Sequence, residues 1–243
     1  MIRLKKNKNI LVLGDGLLGS EIVKQTGWDY LSRKKDGFDA EKFNLVYMNK
    51  MLGDKQAYYT DIVNCIGYTN TRDNSKDKHW KLNYLFVSNL ANYCTFYHKK
   101  LIHISTDYVY SNSRPFAKET DALNAPANWY GYSKLLGDGV VQLFSDKYLL
   151  IRETHKSNPY PYEYAWSDLI GNFDYVDVIA KIIIDLINGN AEGVYNVGTE
   201  LKTLYDLAKR TNPNVKIDTT PNTTDRPTDT TMNLDKLDKF YEI

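Results

Sequence analysis

Ile10-Leu11-Val12-Leu13-Gly14-Asp15-Gly16-Leu17-Leu18-Gly19 is the stretch that decides the fold. Four apolar residues, two of them branched next to the backbone, read as a short buried strand, and the 3.6-type spacing from Leu18 to Gln25 reads as a helix. Between them, Gly14, Gly16 and Gly19 match Gly-x-Gly-x-x-Gly in the one context that gives the pattern meaning, after a strand and at the start of a helix. Glycines permit the tight turn and let backbone amides approach a diphosphate, while the helix N-terminus adds partial positive charge. A plain glycine turn is the competing reading of this motif taken alone.

Working outward, strand and helix alternate. Strands are expected at Tyr30–Ser32, Ile62–Ile66, Leu101–Ser105 and Tyr148–Ile151, with helices at Ala40–Met51, Lys81–Tyr97 and Tyr130–Leu143. Such near-continuous apolar strands separated by helices imply an α/β, Rossmann-type doubly wound parallel sheet covered on both faces. The pattern changes after Arg152, where Ser157–Asp168 is rich in Pro, Tyr and Trp and the tail near Pro221–Pro227 is polar. The chain is therefore expected to divide into a dinucleotide-binding domain, residues 1–152, and a mixed region, residues 153–243. The latter combines a small, shortened C-terminal substrate-binding lobe with elements that return to the sheet: a helix at Val176–Ile187, a strand at Val194–Asn196, and small helices after Thr203 and Leu234.

Composition narrows the function. A formal net charge of +1 spread along 243 residues gives neither a nucleic-acid footprint nor a polybasic membrane face, so a small-molecule partner is expected. Lys5, Lys6 and Lys8 precede only Ile10–Leu13 before Gly14 interrupts the apolar run, which reads as a strand and not a signal peptide. Cys65 and Cys94 sit in apolar stretches and read as reduced core residues of a cytoplasmic protein, monomeric or homodimeric. No Cys, His and carboxylate cluster has metal-ligand spacing, so no metal is expected.

The end of the second strand carries Ser32-Arg33-Lys34-Lys35 where an acidic residue often holds an adenosine ribose. Basic residues there suit a 2′-phosphate and favour NADPH over NADH, whereas Asp39 offers a carboxylate to the adenine end. Tyr130-Gly131-Tyr132-Ser133-Lys134 places a phenol and an ammonium on successive turns of one helix. The cation is expected to lower the phenol's pKa, so that Tyr130 protonates an alkoxide as hydride arrives at its carbon, and Lys134 can also hold the nicotinamide ribose. Thr106, in Ser105-Thr106-Asp107-Tyr108 after the Leu101 strand, falls at the carboxyl edge of the sheet and can donate to the substrate carbonyl.

These residues resemble the extended short-chain dehydrogenases, and among them the dTDP-4-dehydrorhamnose reductases. Ile104-Ser105-Thr106-Asp107-Tyr108-Val109-Tyr110 nearly repeats the family's Ser-Thr-Asp-Tyr-Val-Phe block. Glu119-Thr120-Asp121, Pro126 to Lys134, Tyr175-Val176-Asp177 and Arg226 to Leu234 follow its other patterns. The resemblance implies a catalytic set of Thr106, Tyr130 and Lys134. It also implies cofactor contacts from Gly14, Asp15, Gly16, Leu17, Leu18, Gly19, Ser32, Arg33, Asp39, Cys65, Ile66, Gly67, Tyr68 and Asn83, besides Tyr130 and Lys134. Substrate contacts are expected from Thr69, Asp107, Tyr108, Trp129 and Arg226, the last meeting a sugar-nucleotide diphosphate.

The implied reaction is NAD(P)H-dependent reduction of the C4 ketone of a nucleotide-linked 4-keto-6-deoxy sugar. An epimerase or epimerase-reductase on the same substrate class is the enzymatic alternative. A non-catalytic dinucleotide-binding regulatory subunit is the alternative of another class. The chain departs from the family where Glu153-Thr154-His155 replaces Thr-Ser-Trp, in a glycine turn one residue shorter, and in a stretch between Arg152 and Tyr175 that is roughly a score of residues short for a compact domain plus cap. His155 itself reads as a structural histidine.

Overall fold

The computed structural model describes residues 8–73, 75–111, 113–220 and 226–242. Lys5, Lys6 and residues 221–225 of the polar tail lie outside them. Six parallel strands form the central sheet: β1 (Ile10–Leu13), β2 (Asp29–Leu31), β3 (Asp61–Asn64), β4 (Lys100–Ile104), β5 (Tyr148–Arg152) and β10 (Gly193–Asn196). Their order across the sheet is β10-β5-β4-β3-β1-β2. The chain winds outward from β1 to β2 and then in the opposite direction through β3, β4 and β5, so the switch point lies between β1 and β3.

Alternation within β1 explains the layers. Ile10 and Val12 pack on one face with Ile22 of α1 (Leu17–Thr26) and with Ile179 and Ile183 of α7 (Val176–Asn188). Leu11 and Leu13 pack on the other face with Met48 of α3 (Leu45–Leu52), Phe86 and Leu90 of α5 (Phe86–Phe96), and Val141 of α6 (Trp129–Phe144). The helix before β4 is longer than expected. It begins as α4 (Lys76–His79), passes through a π-wound stretch (Trp80–Leu85) and continues as α5.

Several boundaries move for local reasons. The second strand stops at Leu31 because Ser32 turns to cap α2 (Arg33–Asp36), its hydroxyl accepting from the Lys35 amide at 3.0 Å. The helix expected over 40–51 splits into a 3-10 turn (Ala40–Lys42) and α3, because the Asn44 side chain accepts from the Tyr47 amide at 2.9 Å and starts the helix anew. The Tyr130 helix begins one residue earlier, capped by Asn128, which accepts from Gly131 N at 2.8 Å.

The segment after Arg152 is more ordered than its composition suggests. β6 (His155–Lys156) pairs with β9 (Asp174–Tyr175), and β7 (Tyr164–Trp166) pairs in parallel with β12 (Lys216–Asp218). β8 (Ile170–Gly171) pairs with β11 (Lys202–Thr203), which leads directly into α8 (Leu204–Lys209). Ala165, Leu169, Phe173, Leu204 and Leu207 form a small core of their own beneath these pairs. The last helix, α9 (Asp235–Tyr241), returns Leu237 to the sheet core.

One buried polar network ties the layers together. Arg152, at the end of β5, donates from Nε to Asp138 of α6 at 3.0 Å and from Nη1 to the Tyr110 hydroxyl at 2.7 Å. Tyr110 donates to Asn196 of β10 at 2.8 Å, and Ser105 donates to the other Asp138 oxygen. Arg152 and Asp138 are 2% and 0% exposed, so each charge depends on the other for its solvation. Removing one partner of such a pair costs about 3–5 kcal/mol, because the survivor stays buried and unpaired. In urea denaturation, Asp138→Ala is expected to lose about that much stability, and Asp138→Leu combined with Arg152→Met to recover most of it; equal losses in both variants would show that the pair is not what matters.

Candidate active site

The glycine turn is built for close approach. Gly14 has φ 98, a left-handed conformation, and donates its amide to Leu31 O at 2.9 Å. A Cβ on Gly19 would stand 2.2 Å from Gly14 O and 3.3 Å from the Cys65 side chain, so the turn and the helix touch backbone to backbone beside Cys65. Gly16 differs: a Cβ there would meet nothing within 4 Å, and no side chain caps the helix it opens. An uncapped helix start, open at Gly16 and closed at Gly19, fits a dinucleotide diphosphate. Asp15, Gly16 and Leu17 face outward, whereas Leu18 is buried in the core under the helix.

Beside the turn, Cys65 continues from β3, its amide donating to Leu13 O at 3.0 Å, and burial pushes its thiol up to about 12. Ile66 N is held by the Asn64 side chain at 3.0 Å. A Cβ on Gly67 would lie 3.2 Å from the Asn83 Oδ1 and 4.0 Å from the Lys134 Nζ, so the glycine turn, residues 65–67 and Lys134 line one trough at the carboxyl edge. At its outer end, Arg33 forms an ion pair with Asp39 at 2.8 Å, so the basic and acidic candidates hold each other. Ser32 is buried and occupied as a helix cap.

Asn83 stands one step behind the trough. Fully buried on the π-wound turn, it accepts from Tyr68 N at 2.7 Å and donates to Tyr68 O and the Ser133 hydroxyl, both at 3.0 Å. It therefore fixes the Gly67–Tyr68 backbone to the catalytic helix. His79, also fully buried, completes this support: Nε2 donates to Asp73 O at 2.9 Å and the ring packs 4.8 Å from Tyr68 and 6.4 Å from Tyr130.

Tyr130, Lys134 and Asp138 lie at i, i+4 and i+8 of α6, on the stripe that faces the sheet. Lys134 is 5% exposed and donates to Ile104 O at 2.6 Å, which docks it on the last residue of β4. Thr106 caps the 3-10 turn Asp107–Tyr110, with Tyr108 N donating to its hydroxyl at 3.2 Å, and it hydrogen-bonds Tyr130. The Tyr108 ring meets Tyr130 edge-on at 5.4 Å. Thr106, Tyr130 and Lys134 are thus brought together.

Their electrostatics differ from the sequence expectation. Burial pushes the Tyr130 phenol up, aided by Asp107, Glu153 and Tyr108, and the Thr106 hydrogen bond only partly opposes this. Burial also lowers Lys134 to about 8, with Asp138, Glu153 and Cys65 pulling the other way. In this form of the site the phenol keeps its proton.

The remaining candidates scatter. Asp107 is buried and accepts hydrogen bonds from Thr154 and from Thr230, the latter at 2.7 Å, and burial raises its pKa. Thr69 is exposed. Trp129 packs against Tyr132 at 5.6 Å with the Lys76 Nζ 5.0 Å from its ring. Arg226 stacks on Trp166 at 4.1 Å and pairs with Asp168 at 3.0 Å, and its charge also acts on Tyr108. Sequence reasoning does not single out Asp138, Arg152 or Glu153. Glu153 is 4% exposed just past the end of β5 and paired with His155 at 3.0 Å. The departure of Glu153-Thr154-His155 from the family pattern is the one signal that points to it.

Residues 8–155, more than half of the chain, match the model of the RmlD substrate binding domain family. A dTDP-4-keto-6-deoxy-D-glucose reductase of Streptomyces niveus is 30% identical over 174 residues, 63% of this chain and 59% of that protein. A dTDP-4-dehydrorhamnose reductase of Mycolicibacterium smegmatis is 35% identical over 83 residues, 33% of this chain and 25% of that protein. The chain thus matches less than two thirds of the length of either relative. Among solved structures, a dTDP-4-dehydrorhamnose reductase of Bacillus anthracis in complex with NADP superposes with a TM-score of 0.80 at 22% identity, over 96% of this chain and 92% of that one. An orthologue from Clostridium acetobutylicum gives 0.76 at 22% identity, over 92% and 89%. At these identities the two structures establish a shared fold.

The Lys134 shift makes a stability prediction. Its folded-state pKa of about 8 lies below the ordinary lysine value of 10.5, so between these pH values the unfolded chain binds the extra proton and stability rises with pH. Below about pH 8 the charged form is buried at a cost on the order of 3 kcal/mol. Lys134→Met removes that cost, so its stability advantage over the parent is expected to shrink steadily as denaturation is repeated from pH 8 to pH 10. Parallel pH curves for the two proteins would mean that Lys134 titrates normally in the fold.

Proposed function

The chain belongs to the RmlD substrate binding domain family, and from that premise we propose that it reduces the C4 ketone of a nucleotide-linked 4-keto-6-deoxy sugar with NADPH or NADH. The observation that carries this reading is the convergence of Thr106, Tyr130 and Lys134 at the carboxyl edge of β4, beside a glycine turn shaped for a dinucleotide. Support also comes from the curated relatives, which are named as reductases of dTDP-linked sugars.

A bound nicotinamide, held by the glycine turn and Lys134, would supply a hydride to the ketone carbon. The protein's own part is to direct charge on the oxygen. Thr106 turns its hydroxyl from Asp107, 3.2 Å away, toward the ketone oxygen and polarises it. Tyr130, kept neutral by burial, donates its phenolic proton to that oxygen as the alkoxide forms. Lys134, fixed on Ile104 O, steadies the phenolate left behind and holds the ribose beside Gly67. Asn83 and His79 keep the 67–73 loop in place while this happens.

In an assay of NADPH absorbance with a dTDP-4-keto-6-deoxy sugar, Tyr130→Phe is expected to slow turnover about 10²- to 10⁴-fold, the usual worth of a positioned acid. NADPH binding, followed by fluorescence, should survive the substitution. Turnover at the parental rate would remove Tyr130 from the mechanism. At the adenosine end, Arg33 is assigned to a 2′-phosphate, with Asp39 steering it. Arg33→Ala is expected to lower the NADPH-over-NADH ratio of kcat/KM about tenfold, the loss of one charge-assisted contact; an unchanged ratio would place the phosphate elsewhere.

A further inference from the structure

Glu153 is a buried carboxylate with no part in the transfers made by the catalytic set. Its position follows from the sheet. β4 and β5 run in parallel with Ile104 opposite Ile151, and the pairing continues past both strands: Ser105 N donates to Ile151 O at 2.6 Å and Asp107 N to Glu153 O at 3.3 Å. Side chains alternate along such a segment. Arg152 crosses to Asp138 on the α6 side, whereas Ile151 joins Ile10, Leu18 and Ile22 in the core under α1. Glu153, in register with Ile151, therefore comes up at the carboxyl edge on the α1 side, where the glycine turn opens its helix.

Groups along the whole trough feel its charge. Burial first, and the Glu153 charge with it, push the Cys65 thiol and the Tyr130 phenol up, and for Lys134 the carboxylate opposes the lowering by burial. Cys65 stands beside the glycine turn, Lys134 beside Gly67, and Tyr130 with Thr106 at the far end. Glu153 thus stands where the trough runs into the catalytic set.

For a buried carboxylate at this edge it is sparsely bonded. Asp138 accepts from Arg152 and Ser105, and Asp107 from Thr154 and Thr230. Both Glu153 oxygens turn instead to one group, the His155 Nδ1, at 3.0 and 3.1 Å, and among the described residues nothing else donates to them. One N–H meets only part of a carboxylate's acceptor capacity. Negative charge held so lightly out of water favours a positive charge brought against it. Hydride loss makes that charge on a nicotinamide: the C–H bond breaks, both its electrons go with the hydrogen to the ketone carbon, and the ring passes from neutral to cationic. The Tyr130 proton goes to the ketone oxygen.

We propose that Glu153 is the charge partner of the nicotinamide, favouring the oxidised, cationic ring over the reduced, neutral one and so drawing the hydride toward the ketone, with His155 holding the carboxylate in place. The inference rests on the reductase reading of the site and adds to it a residue that biases the transfer on the protein. It falls on the stretch, Glu153-Thr154-His155, in which this chain departs from the reductases it resembles.

Titration calorimetry on the full chain without sugar tests it, with NADP+ and NADPH and again with NAD+ and NADH. Glu153→Gln keeps an oxygen for the His155 N–H and loses the charge. It should weaken binding of the oxidised form about tenfold and leave the reduced form within about twofold of the parent. Glu153→Asp, which keeps the charge, should give an oxidised-to-reduced affinity ratio between those of the parent and the Gln variant. A carboxylate with a merely structural role would weaken both forms alike. Equal losses for the two forms, or no change in either, overturn the proposal. Binding of no dinucleotide by the parent overturns the reductase reading and the proposal with it. A charge-dependent preference for the oxidised form without reduction of any keto sugar nucleotide would overturn the sugar-reductase reading and leave Glu153 in its place beside the ring.

Discussion

The buried contact between Arg152 and Asp138 is the constraint on which the rest of the site depends. It joins the last residue of β5 to the third turn of the catalytic helix, and through Ser105 and Tyr110 it reaches the turn after β4 and then β10. Parallel strands alone set a helix against a sheet only to within the tolerance of apolar packing. A charge pair that is nearly unexposed admits one register, because any slip leaves both charges unsolvated. Tyr130 and Lys134 occupy the two turns preceding Asp138 on the same stripe, so their height above the sheet edge is fixed by that pair.

Desolvation is the second theme, and it reverses the simplest electrostatic argument. A lysine four residues from a tyrosine is expected to draw the phenol's pKa down. Here both groups are withdrawn from water, and burial moves each toward its neutral form, the phenol up and the ammonium down to about 8. A reductase needs a proton donor at the moment the alkoxide appears, so a phenol that keeps its proton suits reduction better than one already ionised. Asp138 and Glu153 oppose the effect of burial on Lys134 and favour its charged form.

The sheet and the glycine turn are legible in the sequence because their signals are local. Branched apolar runs of four or five residues mark the core strands, and glycine spacing marks the turn. The boundary shifts at Ser32, Asn44 and Asn128 span one or a few residues and come from side chains that cap helices, a decision made by single hydrogen bonds. The small lobe is far less legible. β7 and β12 pair across about fifty residues of chain, and nothing in Tyr164-Ala165-Trp166 announces Lys216-Ile217-Asp218 as its partner. The same holds for the buried charges: Asp138 and Arg152 look like ordinary polar residues until the fold removes their water. The same holds for Arg226, since a sequence shows the guanidinium but neither the indole it stacks on nor the carboxylate it pairs with.

This division has a physical consequence for how such a chain can vary. The carboxyl edge of the sheet is assembled from strand ends and one helix stripe, each held by several independent contacts, so the placement of Thr106, Tyr130 and Lys134 is over-determined. The lobe is assembled from three two-stranded pairs and a small apolar cluster centred on Phe173 and Leu207. Each pair contributes few backbone hydrogen bonds, and short ladders of this kind are stable only when packed against something else. Variation in the stretch after Arg152 therefore falls on the lobe, and leaves the sheet edge with Thr106, Tyr130 and Lys134 in place. The replacement of Thr-Ser-Trp by Glu153-Thr154-His155 sits at the hinge between the two. It places a buried carboxylate whose charge acts on Tyr130 on one side and on Lys156 on the other, so one local change touches both the sheet edge and the lobe.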